Sequence, residues 1–114
     1  MTKESPSLPY GTLDLLVLRT LAAGARHGYG ILLQIHEASN HLLRIEEGSL
    51  YPALHRLETN GLLKAEWMTS ENNRRAKYYA ATVAGRRKLE RETEDWEVQT
   101  KAIARILRAT PSEQ

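Results

Sequence analysis

The feature that most limits what this chain can fold into is a change of hydrophobic period at Gly61. Before it, in residues 47–61 (EGSLYPALHRLETNG), Leu50, Leu54 and Leu57 fall at i, i+4, i+7, one buried side of a short helix. Ser49, His55, Arg56 and Thr59 then face away from that side. Pro52 is expected early enough in the helix for its missing N–H to cost little. Asn60-Gly61 is expected to stop the helix, because both residues tolerate the left-handed conformation. After Gly61, Leu63, Ala65 and Trp67 alternate with Lys64, Glu66 and Met68, the period of a strand. Asn72-Asn73 signals a turn, followed at once by Arg74-Arg75. Residues 76–83 alternate again, with Tyr79, Ala81 and Val83 on one side and Tyr78, Ala80 and Thr82 on the other. Two such runs around a turn make a β-hairpin, here with a basic tip, and Trp67 and Tyr79 are read as core.

The flanking segments are helical. Residues 1–9 are polar and read as a loose tail. A helix is expected from about Thr12, a candidate N-cap, with Asp14 in the first turn and Gly24 at the end. Its stripe of Leu13, Leu16, Val17 and Leu21, widened by Leu15 and Leu18, implies contact on more than one side. A second helix is expected after His27-Gly28-Tyr29-Gly30, with Ile31, Leu32, Ile35 and Ala38 at helical spacing, closing near Ser39-Asn40. The two glycines fit a tight helix start, since no glycine-rich nucleotide loop follows a strand. Leu42, Leu43 and Ile45 read as a short extended link. Thr82 is the expected N-cap of a last helix of about 27 residues, or about 40 Å. Leu89, Trp96 and Ile103 recur at heptad spacing along it, and Ile106 and Leu107 continue the seam. Glu92 and Gln99 interrupt that seam, yet a dimerisation helix is preferred to one packed only within its own chain.

Composition excludes several classes of function. With 114 residues, 41% hydrophobic and 26% charged, the chain suits one globular domain. The absence of cysteine removes disulfides, thiolate metal sites and cysteine nucleophiles. His27, His36, His41 and His55 lack metal-ligand spacing with carboxylates beyond the adjacent His36-Glu37, and no Ser/His/Asp arrangement is suggested. No metal, cofactor or enzymatic activity is therefore expected. No apolar run is long enough for a signal peptide or membrane span, so a cytoplasmic location is expected. The formal charge of +2 is unevenly spread: residues 71–88 carry Arg74, Arg75, Lys77, Arg86, Arg87 and Lys88 against Glu71 alone. A solvated basic helix end accounts for part of this; the remainder is the footprint a polyanion requires.

Helix, helix, short strand, helix, strand, basic turn, strand and long helix is the order of a winged helix-turn-helix with an added helix. The expected fold is thus mainly α with a small β-hairpin. Its expected divisions are a winged helix at 11–83, a dimerisation helix at 84–110, and tails at 1–10 and 111–114. In this architecture the third helix enters the major groove and the hairpin tip lies beside the phosphates. Arg74 and Arg75 are the strongest phosphate candidates. Arg56 has the geometry to bond guanine, although phosphate positioning is the commoner role. Tyr51, at the edge of the apolar side, is either core or a phosphate donor. Tyr78 is expected to lean towards the DNA backbone.

GSLYPALHRLETNGLL (48–63), RRAKYYAATVAGRRKL (74–89) and GTLDLLVLRTLAAGARHGYGI (11–31) closely resemble the PadR family of bacterial transcriptional regulators. The last helix, with no further domain after it, resembles the short subfamily that dimerises through it. The resemblance implies a recognition helix at 47–61 with Ser49, Tyr51, Pro52, His55 and Arg56 near DNA, and wing contacts from Arg74, Arg75 and Lys77. It implies a homodimer, with Leu89, Trp96, Ile103, Ile106 and Leu107 as its interface. Trp96 stands where relatives that bind flat aromatic drugs place a stacking tryptophan, and Glu94, Asp95 and Glu97 would suit a cationic effector. The implied function is a repressor of a palindromic operator, relieved by a small aromatic ligand. The alternative is a winged-helix module that docks proteins without sequence-specific DNA binding; it would require neither Arg74-Arg75 nor a strong salt dependence.

Overall fold

The computed structural model describes residues 8, 9 and 11–109; apart from Leu8 and Pro9, the expected tails lie outside the described residues. The chain runs α1 (Thr12–Ala22), β1 (Arg26–His27), α2 (Gly28–Ala38), α3 (Glu47–Thr59), β2 (Leu63–Thr69), β3 (Arg75–Ala81) and α4 (Val83–Arg108). The strands form one antiparallel sheet in the order β1-β3-β2. This is a winged helix followed by a long helix, as the order of periods implies.

The core is built from the expected stripes. Val17, Leu18 and Leu21 of α1, Ile31 and Ile35 of α2, and Leu50, Leu54 and Leu57 of α3 are buried against Leu63, Tyr79 and Ala81 of the sheet. Each fully buried leucine contributes roughly 1.5–3 kcal/mol relative to exposure. α1 is the central helix, touching α2, α3, β3 and α4, which accounts for its broad stripe.

Several boundaries differ from expectation. Thr12 is the first helical residue rather than the cap: Gly11 caps α1 without a side-chain bond, and the Thr12 N–H donates to the Pro9 carbonyl at 3.1 Å. α2 begins at Gly28 instead of after Gly30, because the His27 imidazole caps it by accepting the Gly30 N–H at 3.0 Å. No strand forms at 42–45. Asn40 and His41 both adopt the left-handed conformation (φ 56° and 67°) and turn the chain sharply, while Ser39 Oγ accepts the Leu43 N–H at 2.9 Å. The short strand is β1 instead, pairing Arg26 with Tyr79 and His27 with Tyr78.

Pro52 lies beyond the unbonded first turn of α3 and removes the bond its position would make to the Gly48 carbonyl. Both residues are exposed, so water can take that carbonyl. At the other end Asn60 keeps φ −85°, and Gly61 alone is left-handed at φ 76°. Gly61 N–H donates to the Glu58 carbonyl at 3.0 Å and Leu62 N–H to that of Leu57 at 2.9 Å, the paired bonds of a Schellman stop.

Thr82 caps α4 as expected, its Oγ1 accepting the Gly85 N–H at 3.0 Å. The same hydroxyl donates to the Gly61 carbonyl at 2.7 Å, joining the end of α3 to the start of α4. Because the cap falls there, β3 ends at Ala81, and Val83 is an exposed helical residue rather than an inward strand residue. Gly85 passes so close to Leu62 that a Cβ on it would collide with the Leu62 carbonyl oxygen and stand 3.3 Å from Leu18 Cδ2.

α4 has 26 residues, about 39 Å at 1.5 Å each. Among the described residues Leu89 packs against the chain's own core, so the exposed seam of α4 starts beyond it. Trp96 is 40% exposed, Ile103 53%, Ile106 73% and Leu107 79%. Among the described residues no helix is long and apolar enough to cross a membrane, and no cluster of His, Asp or Glu has the makings of a metal site.

Candidate nucleic-acid interface

The outer side of α3 is open. Ser49, Pro52, His55, Arg56 and Thr59 are exposed, while Leu50, Ala53, Leu54 and Leu57 anchor the opposite side. Arg56 is held from behind: its Nη2 donates to Asp14 Oδ1 at 2.6 Å, and Asp14 stands in the first turn of α1 with its side chain 19% exposed. A half-exposed guanidinium tied at one edge keeps its other N–H groups for a partner.

Tyr51 is neither core nor fully free. Its phenol lies across Gly28, where a Cβ would stand 2.5 Å from the hydroxyl oxygen. Burial, then the Glu47 carboxylate and then Tyr79 push its pKa above the ordinary value, so the hydroxyl stays a neutral donor.

The wing is the hairpin of β2 and β3. Its turn is tightly bonded: Ser70 N–H donates to the Arg74 carbonyl at 2.6 Å, and Asn73 N–H to that of Ser70 at 2.9 Å, with Asn73 left-handed at φ 59°. Arg74 and Arg75 are exposed at this end. Lys77 lies further in, where its Nζ meets Glu58 Oε1 of α3 at 3.2 Å and stands 5.4 Å from the Tyr79 ring centre. The bond to Glu58 is the main cause of a raised Lys77 pKa.

All nine expected DNA-contact residues lie on α3 or the hairpin, in different states. Ser49, Pro52, His55 and Arg74 are exposed, while Arg56 and Lys77 are engaged by carboxylates. Tyr78 is half-buried on the outer sheet face, edge-on to the His27 ring at 5.3 Å, and so belongs to the sheet rather than the tip.

Two readings change. Trp67 is not core: it is 58% exposed, with the Arg75 guanidinium 5.7 Å from its ring centre. Its cross-strand partner is Lys77, and an inward position opposite a lysine marks where the sheet has outrun the core. The basic segment also divides. Arg86 Nη1 donates to the Ala22 carbonyl at 3.1 Å, and Lys88 Nζ pairs with Glu92 at 2.7 Å, so these two cations of α4 serve internal bonds. Of the same segment, Arg74, Arg75 and Arg87 are exposed, while Lys77 on the wing is paired with Glu58.

The model of the transcriptional regulator PadR-like family matches residues 17–91. The chain is 33% identical to a transcriptional regulator from Clostridium thermocellum of known structure, covering 86% of this chain and 92% of that one, with a TM-score of 0.78. A PadR family transcription regulator from Clostridium difficile is 30% identical, with 85% and 99% covered and a TM-score of 0.75. A transcriptional regulator of Mycobacterium tuberculosis is 48% identical over 59 residues, which span 52% of this chain and 51% of that protein. With most of the winged helix inside the family match and these folds superposing along nearly their whole length, the chain belongs to the PadR-like family of transcriptional regulators.

Proposed function

We propose that this DNA-binding regulator acts as a homodimeric repressor of a palindromic operator. Each protomer places α3 in a major groove and lays the wing at 71–77 beside the flanking phosphates. The observation that carries this reading is an open, polar α3 surface tied through the Glu58–Lys77 ion pair to a hairpin whose tip bears Arg74 and Arg75. The helix supplies base contacts and the wing supplies charge.

The free end of α4 supports the dimer. Trp96, Ile103, Ile106 and Leu107 form an apolar seam that water meets in the single chain. Beyond Leu89, α4 carries Glu90, Glu92, Glu94, Asp95 and Glu97 against Arg91, and then Lys101, Arg105 and Arg108, so two antiparallel copies set opposite charges side by side. Trp96 lies on this seam beside Glu94, Asp95 and Glu97, a setting that favours a flat, cationic aromatic effector. Such an effector relieves repression only by binding more tightly to an α3 spacing that misfits the operator.

Replacing both Arg74 and Arg75 with Ala tests the wing. Binding to all duplexes should weaken, and the slope of log affinity against log salt should fall by about two. An unchanged slope removes the wing from the interface.

A further inference from the structure

The inner face of the hairpin continues past the core beneath it. Leu63 pairs with Ala81, Ala65 with Tyr79, Trp67 with Lys77 and Thr69 with Arg75, and these residues share one face. Leu63, Tyr79 and Ala81 are buried, but Trp67 is 58% exposed and its indole is largely in water. An exposed indole gains little from the core, so its role lies with its neighbours. Lys77, directly opposite, is drawn towards Glu58 on α3. Arg75, the diagonal neighbour, is close enough for a long side chain to cover the ring, and its guanidinium does so at 5.7 Å. A guanidinium resting on an aromatic face loses rotamer freedom but keeps its charge and its outward N–H groups.

We infer that Trp67 is a positioning residue for DNA binding: its ring fixes the Arg75 guanidinium as the wing's pre-organised phosphate contact, leaving Arg74 as the adaptable one. The inference rests on the proposed contact between wing and DNA, and extends it to a residue with no charge of its own. Pre-organisation acts on affinity by reducing the ordering cost of binding. It does not alter the number of phosphates neutralised.

The test is a double-mutant cycle on the full chain, binding a labelled random-sequence duplex of about 30 base pairs, roughly three helical turns. Titrations run between about 50 and 200 mM salt, with melting curves to verify that each variant is folded. Trp67→Ala should weaken binding about two- to five-fold, the range of an exposed cation–π contact, with an unchanged salt slope. Arg75→Ala should weaken binding and lower the slope by about one. Adding Trp67→Ala to Arg75→Ala should cost nothing further, and Trp67→Phe should retain most of the affinity. Additive losses, a lowered slope in Trp67→Ala, or full affinity in Trp67→Ala beside a weakened Arg75→Ala would each overturn the inference while leaving the wing contact standing. Unchanged affinity and slope in Arg75→Ala would instead remove the wing contact, and this inference with it.

Discussion

Glu58 of α3 and Lys77 of β3 meet at 3.2 Å, an ion pair that joins the proposed recognition helix to the wing. Both side chains are about one-third exposed, so the pair's value to folding is modest, within about 1 kcal/mol. Its value to binding is geometric. Glu58→Gln should release Lys77 to the phosphates, raising affinity for random duplex while narrowing the ratio between selected and random DNA. Paired titrations on the two duplexes check this; an unchanged ratio would show that the ion pair does not set the wing's angle.

The Lys77 and Tyr51 pKa values are both raised in the fold, the first mainly by the Glu58 bond and the second mainly by burial. Each group's contribution to stability is present below its unfolded pKa and is lost as pH rises through the folded one. Stability should therefore decline as pH climbs past about 10, the ordinary tyrosine range. Glu58→Gln should flatten the lysine part of that decline. Urea unfolding at stepped alkaline pH reads both effects.

Gly85 is a close join between α4 and the winged helix, facing the Leu62 carbonyl and Leu18. Gly85→Ala has nowhere to put its methyl group without moving backbone, and should destabilise the fold by about 1–3 kcal/mol or more. A loss below about 0.5 kcal/mol in chemical unfolding, the scale of ordinary surface changes, would contradict the packing described.

Arg56 is held by Asp14 at 2.6 Å with part of its guanidinium exposed. If it reads a base, Arg56→Ala should relax preference at one operator position by about 1–3 kcal/mol. Asp14→Asn, which loosens the hold, should blur the same position less. A selection profile for each variant distinguishes this from phosphate contact, which would weaken all sequences alike.

How far the sequence alone reaches is visible in particular residues. Leu50, Leu54 and Leu57 are buried as their spacing requires, and Thr82 caps α4, because both signals are local. Alternation puts Trp67 on the inner face of its strand but says nothing of where the core beneath that face ends, and Trp67 is largely exposed. β1 escaped because two residues are too few for a period; only the edge of β3 makes Arg26 and His27 a strand. The Arg56–Asp14 and Lys77–Glu58 pairs join distant segments, so the basic residues could be counted from sequence but their partners could not.

The seam of α4 makes a separate prediction. Ile103→Glu with Leu107→Glu in the full chain should convert a sedimenting dimer to a monomer, since both side chains are largely exposed in one chain and their loss spares its core. A persistent dimer would place the interface elsewhere. Quenching of Trp96 emission by planar cationic aromatics, absent in the monomeric variant, would support the effector site on the same seam.

The most direct test of the whole account is selection of bound duplexes from a random pool, followed by footprinting of the enriched sequence. Paired α3 helices predict an inverted repeat whose half-sites lie about one helical turn apart, roughly 34 Å, or a multiple of it. Protection should cover both half-sites and their flanking phosphates. Enrichment of a single unpaired half-site, or of no sequence at all, would contradict it.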